Sequence, residues 1–275
     1  GDQSFHYRPQ STYQGGLSDP RVLAGTGPIE KAAVNFSHSI GNSLPKAVSE
    51  SRSDLAGSPF EAASLSVIVH PSNPFVPTTH MNLRLFVVET EPVQWHFGGG
   101  YDLTPTYGFI EDAHHWHHGA RNSAGEDYES MKKKCDEYFY LPHRDEQRGI
   151  GGLFFDDLAS GDFNATFSLV EKIGESFLPL YTEIFERRRF EPFTDENRSF
   201  QLFRRGRYAE FNLLLDRGTR YGLQSGRRVE NVLASMPPLA SWVHNYPIER
   251  GSAEHRLTDF FLKPRDWIVT QNAQG

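Results

Sequence analysis

The segment LPHRDEQRGIGGLFFDD, residues 141–157, concentrates side chains that can do chemistry: one histidine, two arginines, four carboxylates and the glycines Gly149, Gly151 and Gly152. Histidine and carboxylates can move protons, and guanidinium groups hold carboxylates through paired hydrogen bonds. The glycines do not complete a dinucleotide-binding motif, because the sixth position of GIGGLF is Phe154, and no GxxxxGK[ST] occurs. The sequence therefore gives no case for NAD, FAD or ATP. The glycines indicate either a bulge in a strand or a place where a flat ligand lies against the backbone.

Arginines and aspartates recur near predicted turns. The arginines are Arg144, Arg148, Arg204, Arg205, Arg207, Arg217, Arg220, Arg227 and Arg228. Several of them around one cavity would suit a polyanionic small substrate, whereas each one alone fits a surface ion pair. The aspartates that follow predicted strands are Asp102, Asp156, Asp157 and Asp216. A carboxylate there can hold an N–H donor or take a proton, but for Asp156 and Asp157 we favour a turn residue that bonds its own backbone.

Histidine is also abundant, with 12 residues in the chain. On a predicted helix, His114 shares a face with His117 or His118, a spacing that metal sites use. No HExxH or two-His-one-carboxylate pattern is present, so a metal site and a solvated helix face both stay open. His80 differs, because it enters a predicted strand two residues before Asn82, on a polar strand face.

Charge and composition exclude several classes of function. The net charge of −7 and the pI near 5.9 argue against a general attraction to nucleic acid. No run approaches the roughly 20 apolar residues of a membrane span, and GDQSFHYRPQ has no apolar stretch of the signal-peptide type. We therefore expect a soluble protein without a transmembrane segment. The single Cys135 excludes an internal disulfide and fits a reducing compartment, so the N-x-S/T matches at Asn35, Asn164 and Asn197 are expected to stay unmodified.

The patterns predict one domain over residues 1–275, with residues 1–30 as an irregular arm. Alternating apolar residues predict strands at 63–70, 81–89, 93–97, 150–155 and 208–215. Helical spacing predicts helices at 111–121, 126–140, 162–189, 228–236 and 253–262. Because short loops join the early strands and helices gather later, we expect an α+β fold, an antiparallel sheet covered by helices rather than a Rossmann arrangement.

Five long motifs together resemble the oxygen-dependent coproporphyrinogen III oxidase family. They are HPSNPFVPTTHMNLR, WHFGGGYDLTPTYGF, KKCDEYFYLPHRDEQRGIGGLFFDD, RRGRYAEFNLLLDRGTRYGLQSGRR and SMPPLASW. The resemblance runs in one order over residues 33–267. Two features depart from the family pattern. Lys134 stands where a tryptophan is usual, and the first part of the chain is shorter than in most members, without their first helix.

The resemblance implies an oxidoreductase of haem biosynthesis that converts two of the four propionates of coproporphyrinogen III to vinyl groups, giving protoporphyrinogen IX. Dioxygen is the co-substrate, carbon dioxide and hydrogen peroxide are released, and no cofactor is required. The resemblance also implies a large flat antiparallel β-sheet of seven strands sandwiched between layers of α-helices, and a homodimer that forms through residues 208–243. The expected location is cytoplasmic, with the mitochondrial intermembrane space as the alternative.

The same resemblance assigns site residues. The substrate site would contain Ser66, Asn82, Leu83, Arg84, Arg148, Gly226, Arg227 and Arg228. The catalytic candidates are His80, Arg84, Asp102 and Asp216. Of these, His80 stands at the position of the proton donor, and the two aspartates would face the pyrrole N–H groups. A divalent metal is the alternative to a cofactor-free reaction, and its ligands would be His70, His80, His117 and His143.

A mechanism follows from these assignments. A carboxylate that accepts a pyrrole N–H would stabilise the deprotonated ring that attacks dioxygen, while arginines hold the propionates. In residues 141–157, Arg144 and Arg148 would supply positive charge and the three glycines would let a flat macrocycle approach the sheet. Asp102→Asn should then keep the fold and abolish turnover. A rival hypothesis is a tetrapyrrole carrier without catalysis, which would bind porphyrinogen without oxygen uptake.

Overall fold

The computed structural model describes residues 4–7, 9–11, 16–44, 55–224 and 228–268. Its strands are β1 (Phe5–Tyr7), β2 (Gln10–Ser11), β3 (Leu17–Ala24), β4 (Ile29–Gly41), β5 (Phe60–Pro71), β6 (Thr78–Val88), β7 (Gln94–Thr104), β8 (Tyr140–Leu141), β9 (Glu146–Gln147) and β10 (Gly151–Leu158). Its α-helices are α1 (Ile110–Ala124), α2 (Tyr128–Tyr138), α3 (Phe163–Arg188), α4 (Asp195–Leu214), α5 (Arg217–Gln224), α6 (Val229–Val232) and α7 (Ala253–Arg256). Short 3-10 turns at Gly125–Asp127 and Leu233–Ser235 and a π-helical turn at Leu257–Phe261 complete the described elements.

A large antiparallel sheet organises the molecule. Its strand order is β1-β3-β4-β5-β6-β7-β10, and β2 also pairs with β3. From β3 to β7, each strand pairs with the next strand in the chain, and β10 then joins the outer edge of β7. The expected α+β class is therefore confirmed, with seven strands along the path of the sheet and helices packed on it.

The two faces of the sheet differ because side chains alternate along each strand. One face is apolar and belongs to the main core. On it, Met81, Phe97 and Tyr101 pack with Trp116 of α1 and Phe177 of α3, and the rings of Tyr101 and Trp116 lie 4.9 Å apart. Helices α1 and α3 therefore cover this face.

The opposite face is covered by α4 and by the chain that follows α2. Near β10, Phe139 and Leu141 form a small core with Phe211 of α4, and Cys135, the single cysteine of the chain, is buried in this core. Near β4 and β5, Ile68 and its neighbours pack against α4 in another small core. Polar side chains occupy the sheet between these two small cores.

Residues 1–30 are not an irregular arm where the structure describes them. β3 pairs with β4 along its whole length, and β1 and β2 pair with β3. The sequence LSDPRVLA hides this strand because two of its buried positions are Ser18 and Pro20. Burial alternates over residues 17–20 of β3, but apolar character does not.

The strand predicted at 208–215 is wrong, because these residues are the last turns of α4. The helix begins at Thr194, whose hydroxyl oxygen accepts a hydrogen bond from the Asn197 N–H, while the Asn197 side chain accepts one from the Thr194 N–H. Once started, α4 buries Phe203 and Phe211. Packing against the sheet thus decides the structure of YAEFNLLL, whose short-range pattern resembles a strand.

The other predicted elements are present with shifted ends. The strand predicted at 93–97 is β7. It does not end at Gly98, Gly99 and Gly100 but continues to Thr104. α3 begins after Asp162, whose carboxylate accepts a hydrogen bond from the Ala165 N–H, and it contains Pro179. The helices predicted at 228–236 and 253–262 are α6 and α7, each extended by a short turn of different geometry. Among the residues described, no helix has the length and apolar character needed to cross a membrane.

The three glycines of residues 141–157 pack against the protein itself. A Cβ on Gly149 would lie 2.2 Å from the carbonyl oxygen of Leu103, and one on Gly152 would lie 2.2 Å from that of Tyr101. A Cβ on Gly151 would lie 2.8 Å from a carboxylate oxygen of α2. The hypothesis that these glycines admit a flat macrocycle is therefore wrong. They let β10 and the chain before it approach β7 and α2 closely.

Gly149→Ala should lower the free energy of unfolding by about 3 kcal/mol, because the added Cβ overpacks the junction with β7. Gly57→Ala is the control, since a Cβ there meets nothing within 4 Å and costs only the strain of its positive φ, about 1 kcal/mol. Urea denaturation measures both losses. Equal losses in the two variants would contradict the steric explanation.

Candidate active site

A cavity of about 300 Å³ lies on the polar face of the sheet. Strands β3 to β7 and β10 form its floor, and its walls include Tyr138, Tyr208 and Asn231. Gly99 and Gly100 belong to the floor, so β7 presents backbone there without side chains. The cavity thus lies between a sheet and a layer of helices.

The strand register sorts the floor residues into three rows across the sheet. The first row is Ala33, Ile68, His80 and Asp102; the second is Asn35, Ser66, Asn82 and Gly100; the third is Ser37, Ser64, Arg84 and Gly98. Directly paired residues have Cβ atoms about 4.5–5.5 Å apart. Neighbouring side chains in one row can therefore act on the same group of a ligand.

Asp102 is the buried acid of the first row. Its Oδ1 accepts hydrogen bonds from Arg148 Nη2 at 2.7 Å and His80 Nδ1 at 3.2 Å, and Thr104 Oγ1 donates to its Oδ2 at 3.3 Å. Burial raises the pKa of Asp102, but the charge of Arg148 and the hydrogen bond from His80 outweigh burial and hold that pKa below its usual value. Asp102 is therefore a charged carboxylate at neutral pH.

Arg148 is enclosed by aromatic rings as well as by this acid. Its Nη1 donates to Asn212 Oδ1 at 3.0 Å. The guanidinium carbon lies 4.1 Å from the ring centre of Phe139 and 4.7 Å from those of Tyr208 and Phe211. The ring faces and the carboxylate replace the water that the buried cation has lost.

His80 lies between the buried ion pair and the open cavity. Its side chain is 23% exposed, whereas those of Asp102 and Arg148 are 2% exposed. An ionised carboxylate only accepts hydrogen bonds, so the ring hydrogen must be on Nδ1 and the neutral ring has its acceptor at Nε2. His80, rather than Asp102, is the group that a ligand can touch.

A second charged cluster lies at the third row. Asp156 accepts hydrogen bonds from Arg84 Nη2 at 2.5 Å and from Arg217 Nη2 at 2.7 Å. Gly98 leaves room for Arg84, since a Cβ at position 98 would lie 2.7 Å from Arg84 Nε. Burial raises the pKa of Asp156, but the two guanidinium groups lower it below its usual value. One carboxylate thus holds two arginines at the edge of the cavity.

The interpretation of Asp156 and Asp157 as turn residues bonded to their own backbone is therefore wrong. The pairing of β10 with β7 is irregular between Phe155 and Leu158, and both aspartates line the cavity. Asp157 has a φ of 52°, and its carboxylate lies 3.8 Å from His96 Nε2. The bulge of β10 therefore lies between Phe155 and Leu158, where its pairing with β7 is irregular, and not at Gly151 and Gly152.

Asp216 has two structural partners. Its Oδ2 accepts hydrogen bonds from the Thr219 N–H at 2.7 Å and from the Thr219 hydroxyl at 2.9 Å, as a residue at the start of a helix does. Its Oδ1 accepts one from the Tyr138 hydroxyl at 2.8 Å, and the Tyr138 ring stacks on Phe154 at 4.2 Å. Asp216 lines the cavity, but both of its oxygens have donors that fix α5 and hence Arg217.

The expected substrate residues divide into three groups. Those that line the cavity are Ser66, Asn82, Arg84 and Arg148. Leu83 faces the main core on the other side of the sheet, so its side chain does not reach the cavity. Arg228 is exposed and its Nε lies 3.9 Å from Glu230, while Gly226 and Arg227 lie outside the described residues.

The four histidines of the metal alternative do not come together. His70 and His117 are fully buried, and each ring lies within hydrogen-bond distance of a backbone carbonyl and a hydroxyl group. Burial lowers the pKa of both histidines to about 3. His143 contacts Glu210, and His80 contacts Asp102. Over the residues described, no three histidine, cysteine, aspartate or glutamate side chains form a possible metal site, so this set does not fit a metal.

Several expected arginines also lie elsewhere. Arg144 forms a paired hydrogen bond with Glu210, outside the cavity, so Arg148 alone of the two arginines in residues 141–157 supplies positive charge there. Arg204 and Arg205 are buried in α4 and pair with Glu146 and Glu30. Of the nine arginines singled out in the sequence, Arg148 and Arg217 line the cavity, and Arg84 of the expected substrate site joins them.

Sequence reasoning missed the side chains that enclose the charged groups. These are Tyr138, Phe139 and Phe154 on one side and Asn212 and Tyr208 on α4. Tyr138 and Phe139 lie at the end of the helix predicted at 126–140, but nothing in their spacing showed that they face a ligand. For Tyr208 and Asn212, a helical assignment of α4 would have placed them four residues apart on one face.

This fold and this cavity define an α+β protein with a polar, charged cavity between a sheet and a layer of helices. The family model described as Coproporphyrinogen III oxidase matches residues 1–267. The chain therefore belongs to the coproporphyrinogen III oxidase family. It is an oxidoreductase of haem biosynthesis that oxidatively decarboxylates coproporphyrinogen III.

Arg148→Met should lower the free energy of unfolding at pH 7 by about 3–5 kcal/mol, because it leaves the buried Asp102 carboxylate unpaired. Since the pKa of Asp102 is depressed in the native protein, its stabilisation is present above the unfolded pKa and is lost as pH falls through the folded pKa. In Arg148→Met that pKa rises instead, so the loss should shrink as the pH is lowered.

The control is the double variant Arg148→Met/Asp102→Asn, which should recover part of the stability because neither charge remains. Asp102→Asn alone should be destabilised, since Arg148 is then unpaired, so the expectation that it keeps the fold is revised. Urea denaturation of all four proteins gives the coupling energy. Additive losses would show that the pair is not coupled.

Proposed function

We propose that His80 is the acid–base group that meets coproporphyrinogen III, with Asp102 and Arg148 positioning it from behind. The observation that carries the proposal is the hydrogen-bonded chain from Arg148 through Asp102 to His80, in which His80 is by far the most exposed member. Asp102 keeps the hydrogen on Nδ1, so Nε2 can take a proton from a pyrrole N–H. The carboxylate also stabilises the imidazolium that results, which can then return the proton as a donor.

The chemistry that this site must support is a reaction with dioxygen. The porphyrinogen ring is already reduced and electron-rich, and removal of a pyrrole proton raises its electron density further, so we propose direct reaction with dioxygen and no required cofactor. For each propionate, the methylene carbon bound to the pyrrole ring loses one hydrogen with its two bonding electrons, which one dioxygen accepts. The carboxylate leaves as carbon dioxide, and the electrons of its bond to the chain form the new double bond. That hydrogen and one proton complete hydrogen peroxide, and a vinyl group remains. Two such rounds give protoporphyrinogen IX.

The charged cluster at the third row supports propionate binding. Arg84, Arg217 and Asp156 carry two positive charges and one negative charge, so together they match one carboxylate. By resemblance, residues 226–228 take part in substrate binding as well. We propose that these groups hold the macrocycle over the glycine floor of β7 while His80 acts on it.

We also propose a homodimer. Large apolar side chains remain exposed between residues 213 and 243, and they are Leu213, Leu214, Leu223, Val229, Leu239, Trp242 and Val243. They make up 7 of the 16 exposed large apolar residues of the described chain, which favours an interface in this region. The free thiol of Cys135 supports a cytoplasmic location, where thiols stay reduced.

The proposed reaction is tested by mixing the purified protein with chemically reduced coproporphyrinogen III in air, with and without a chelator, and separating the porphyrins by chromatography. The expected result is a two-propionate product and oxygen uptake in both tubes. Product that disappears only with the chelator would establish a metal requirement. Bound substrate without product in either tube would favour the carrier.

His80→Gln should lower kcat by about 10²–10⁴-fold, because the general base is removed. Its affinity for coproporphyrin III, the oxidised and unreactive ligand, should stay within a few-fold of the parent value. His38→Gln makes the same change on β4 outside the cavity, where His38 contacts Glu61, and should keep full activity. A folded His80→Gln variant with normal kcat would refute the role of His80.

Leu214→Lys should weaken the dimer, because it places a charge among the exposed apolar residues of this region. Sedimentation equilibrium should give the parent protein about twice the 31.2 kDa of the chain, and the variant a smaller average mass at low concentration. Leu178→Lys, at an exposed site on α3, is the matched control and should leave the mass unchanged. A monomeric parent protein would contradict the proposal.

A further inference from the structure

The part of the cavity floor formed by β3, β4 and β5 carries no charged side chain among the residues described. Its polar residues, the uncharged floor, are Ser18, Asn35, Ser37, Ser39, Ser64 and Ser66. In the strand register, Asn35 is paired with Ser66, and Ser37 with Ser64. Hydroxyl and amide groups therefore form a patch next to Asn82 and Arg84 on β6.

This patch matters for ligand binding because the charged side chains of the cavity already pair with one another. In the described lining, the arginines are Arg84, Arg148 and Arg217, and the aspartates are Asp156, Asp157 and Asp216. Each arginine already has a carboxylate partner, because Arg148 pairs with Asp102 and the other two pair with Asp156. Three arginines and three aspartates balance in this lining. Beyond the one carboxylate that Arg84, Arg217 and Asp156 match, a ligand with four carboxylates therefore meets no further excess of positive charge from these residues. Some of its carboxylates need neutral donors or cations from other parts of the chain.

Asn35 is oriented to provide such a donor. Ser18 Oγ donates a hydrogen bond to Asn35 Oδ1 at 3.4 Å, and Asn231 Nδ2 donates to Ser18 Oγ at 3.5 Å. The amide oxygen of Asn35 is therefore the atom turned towards β3. Its Nδ2, with two hydrogens, has no hydrogen-bond partner among the described residues.

Ser64 offers a second donor. The hydroxyl oxygens of Ser37 and Ser64 lie 2.9 Å apart, so one hydroxyl donates to the other. Ser37 is buried and Ser64 is half-buried and lines the cavity. When Ser37 donates, the hydroxyl hydrogen of Ser64 can point to a ligand.

We propose that Asn35, together with Ser64 and Ser66, forms a subsite that binds a propionate that is not reacting. The inference rests on the proposed function and extends it to the far side of the substrate. β4 lies two strand spacings, or about 10 Å, from β6, which carries His80. A carboxylate bound at Asn35 is therefore two strands away from His80 and positions the macrocycle while another propionate reacts. Neutral donors hold this carboxylate without the full strength of an arginine pair, so the substrate can turn between the two decarboxylations.

Asn35→Ala should raise the KM for coproporphyrinogen III by about tenfold, because one hydrogen bond to a charged group is lost, and should leave kcat within about twofold. Asn35→Asp should have a larger effect, since it also places a negative charge next to the carboxylate. Fluorescence titration with coproporphyrin III, which carries the same four carboxylates but does not react, should show the same loss of affinity. Melting temperatures confirm that the variants are folded.

Asn122→Ala is the matched control, because Asn122 is exposed on α1 away from the cavity. It should keep the parent KM and affinity. Unchanged KM and coproporphyrin affinity in both Asn35 variants would overturn the subsite, as would a loss of kcat with unchanged KM, which would place Asn35 in the chemistry. If the parent protein binds coproporphyrin III but does not oxidise coproporphyrinogen III, the proposed function fails, while the titration still decides the role of Asn35.

Discussion

The ion pair of Arg148 and Asp102 sets the arrangement of the active site. Neither charge is solvated by bulk water, so each is stable only while the other is in place. Asp102 belongs to β7, Arg148 to the segment before β10, and Asn212, which binds the guanidinium group, to α4. The pair thus joins the sheet to the helices above it. It also leaves a charged carboxylate beside His80, so the protein's stability and its acid–base chemistry depend on the same contact.

The pairing of strands in the sheet fixes the distances between the side chains of the site. Because β4 to β7 pair in chain order, the register brings residues from four successive strands into rows with fixed spacing. Rigid strands position catalytic side chains more precisely than loops do. Gly98 contributes in a different way, since its missing side chain leaves room for Arg84. The charged cluster and the acid–base group are consequently held by separate rows of the same floor.

Part of this arrangement could be predicted from local sequence. Alternation placed Asn82 and Arg84 on one strand face, and the family motifs identified His80 and Asp102. Local patterns could not reveal β3 and β4, because polar residues occupy several positions of these strands that are buried or face the cavity. Asn35 on β4 is one of these residues. Nor could they show that Asp102 lies behind His80 or that His70 and His117 are buried with bonded rings. Such facts depend on packing between residues far apart in the chain, as does the helical state of α4.

The burial of Cys135 bears on how this protein tolerates its own reaction. A thiol reacts with hydrogen peroxide as its thiolate and only where the oxidant can reach it. Cys135 is fully buried, and this burial raises the pKa of its thiol well above the usual value. On the proposed stoichiometry each substrate releases two molecules of peroxide close to this residue. The single thiol of the chain is therefore kept protonated and inaccessible, and it should survive many turnovers without being oxidised.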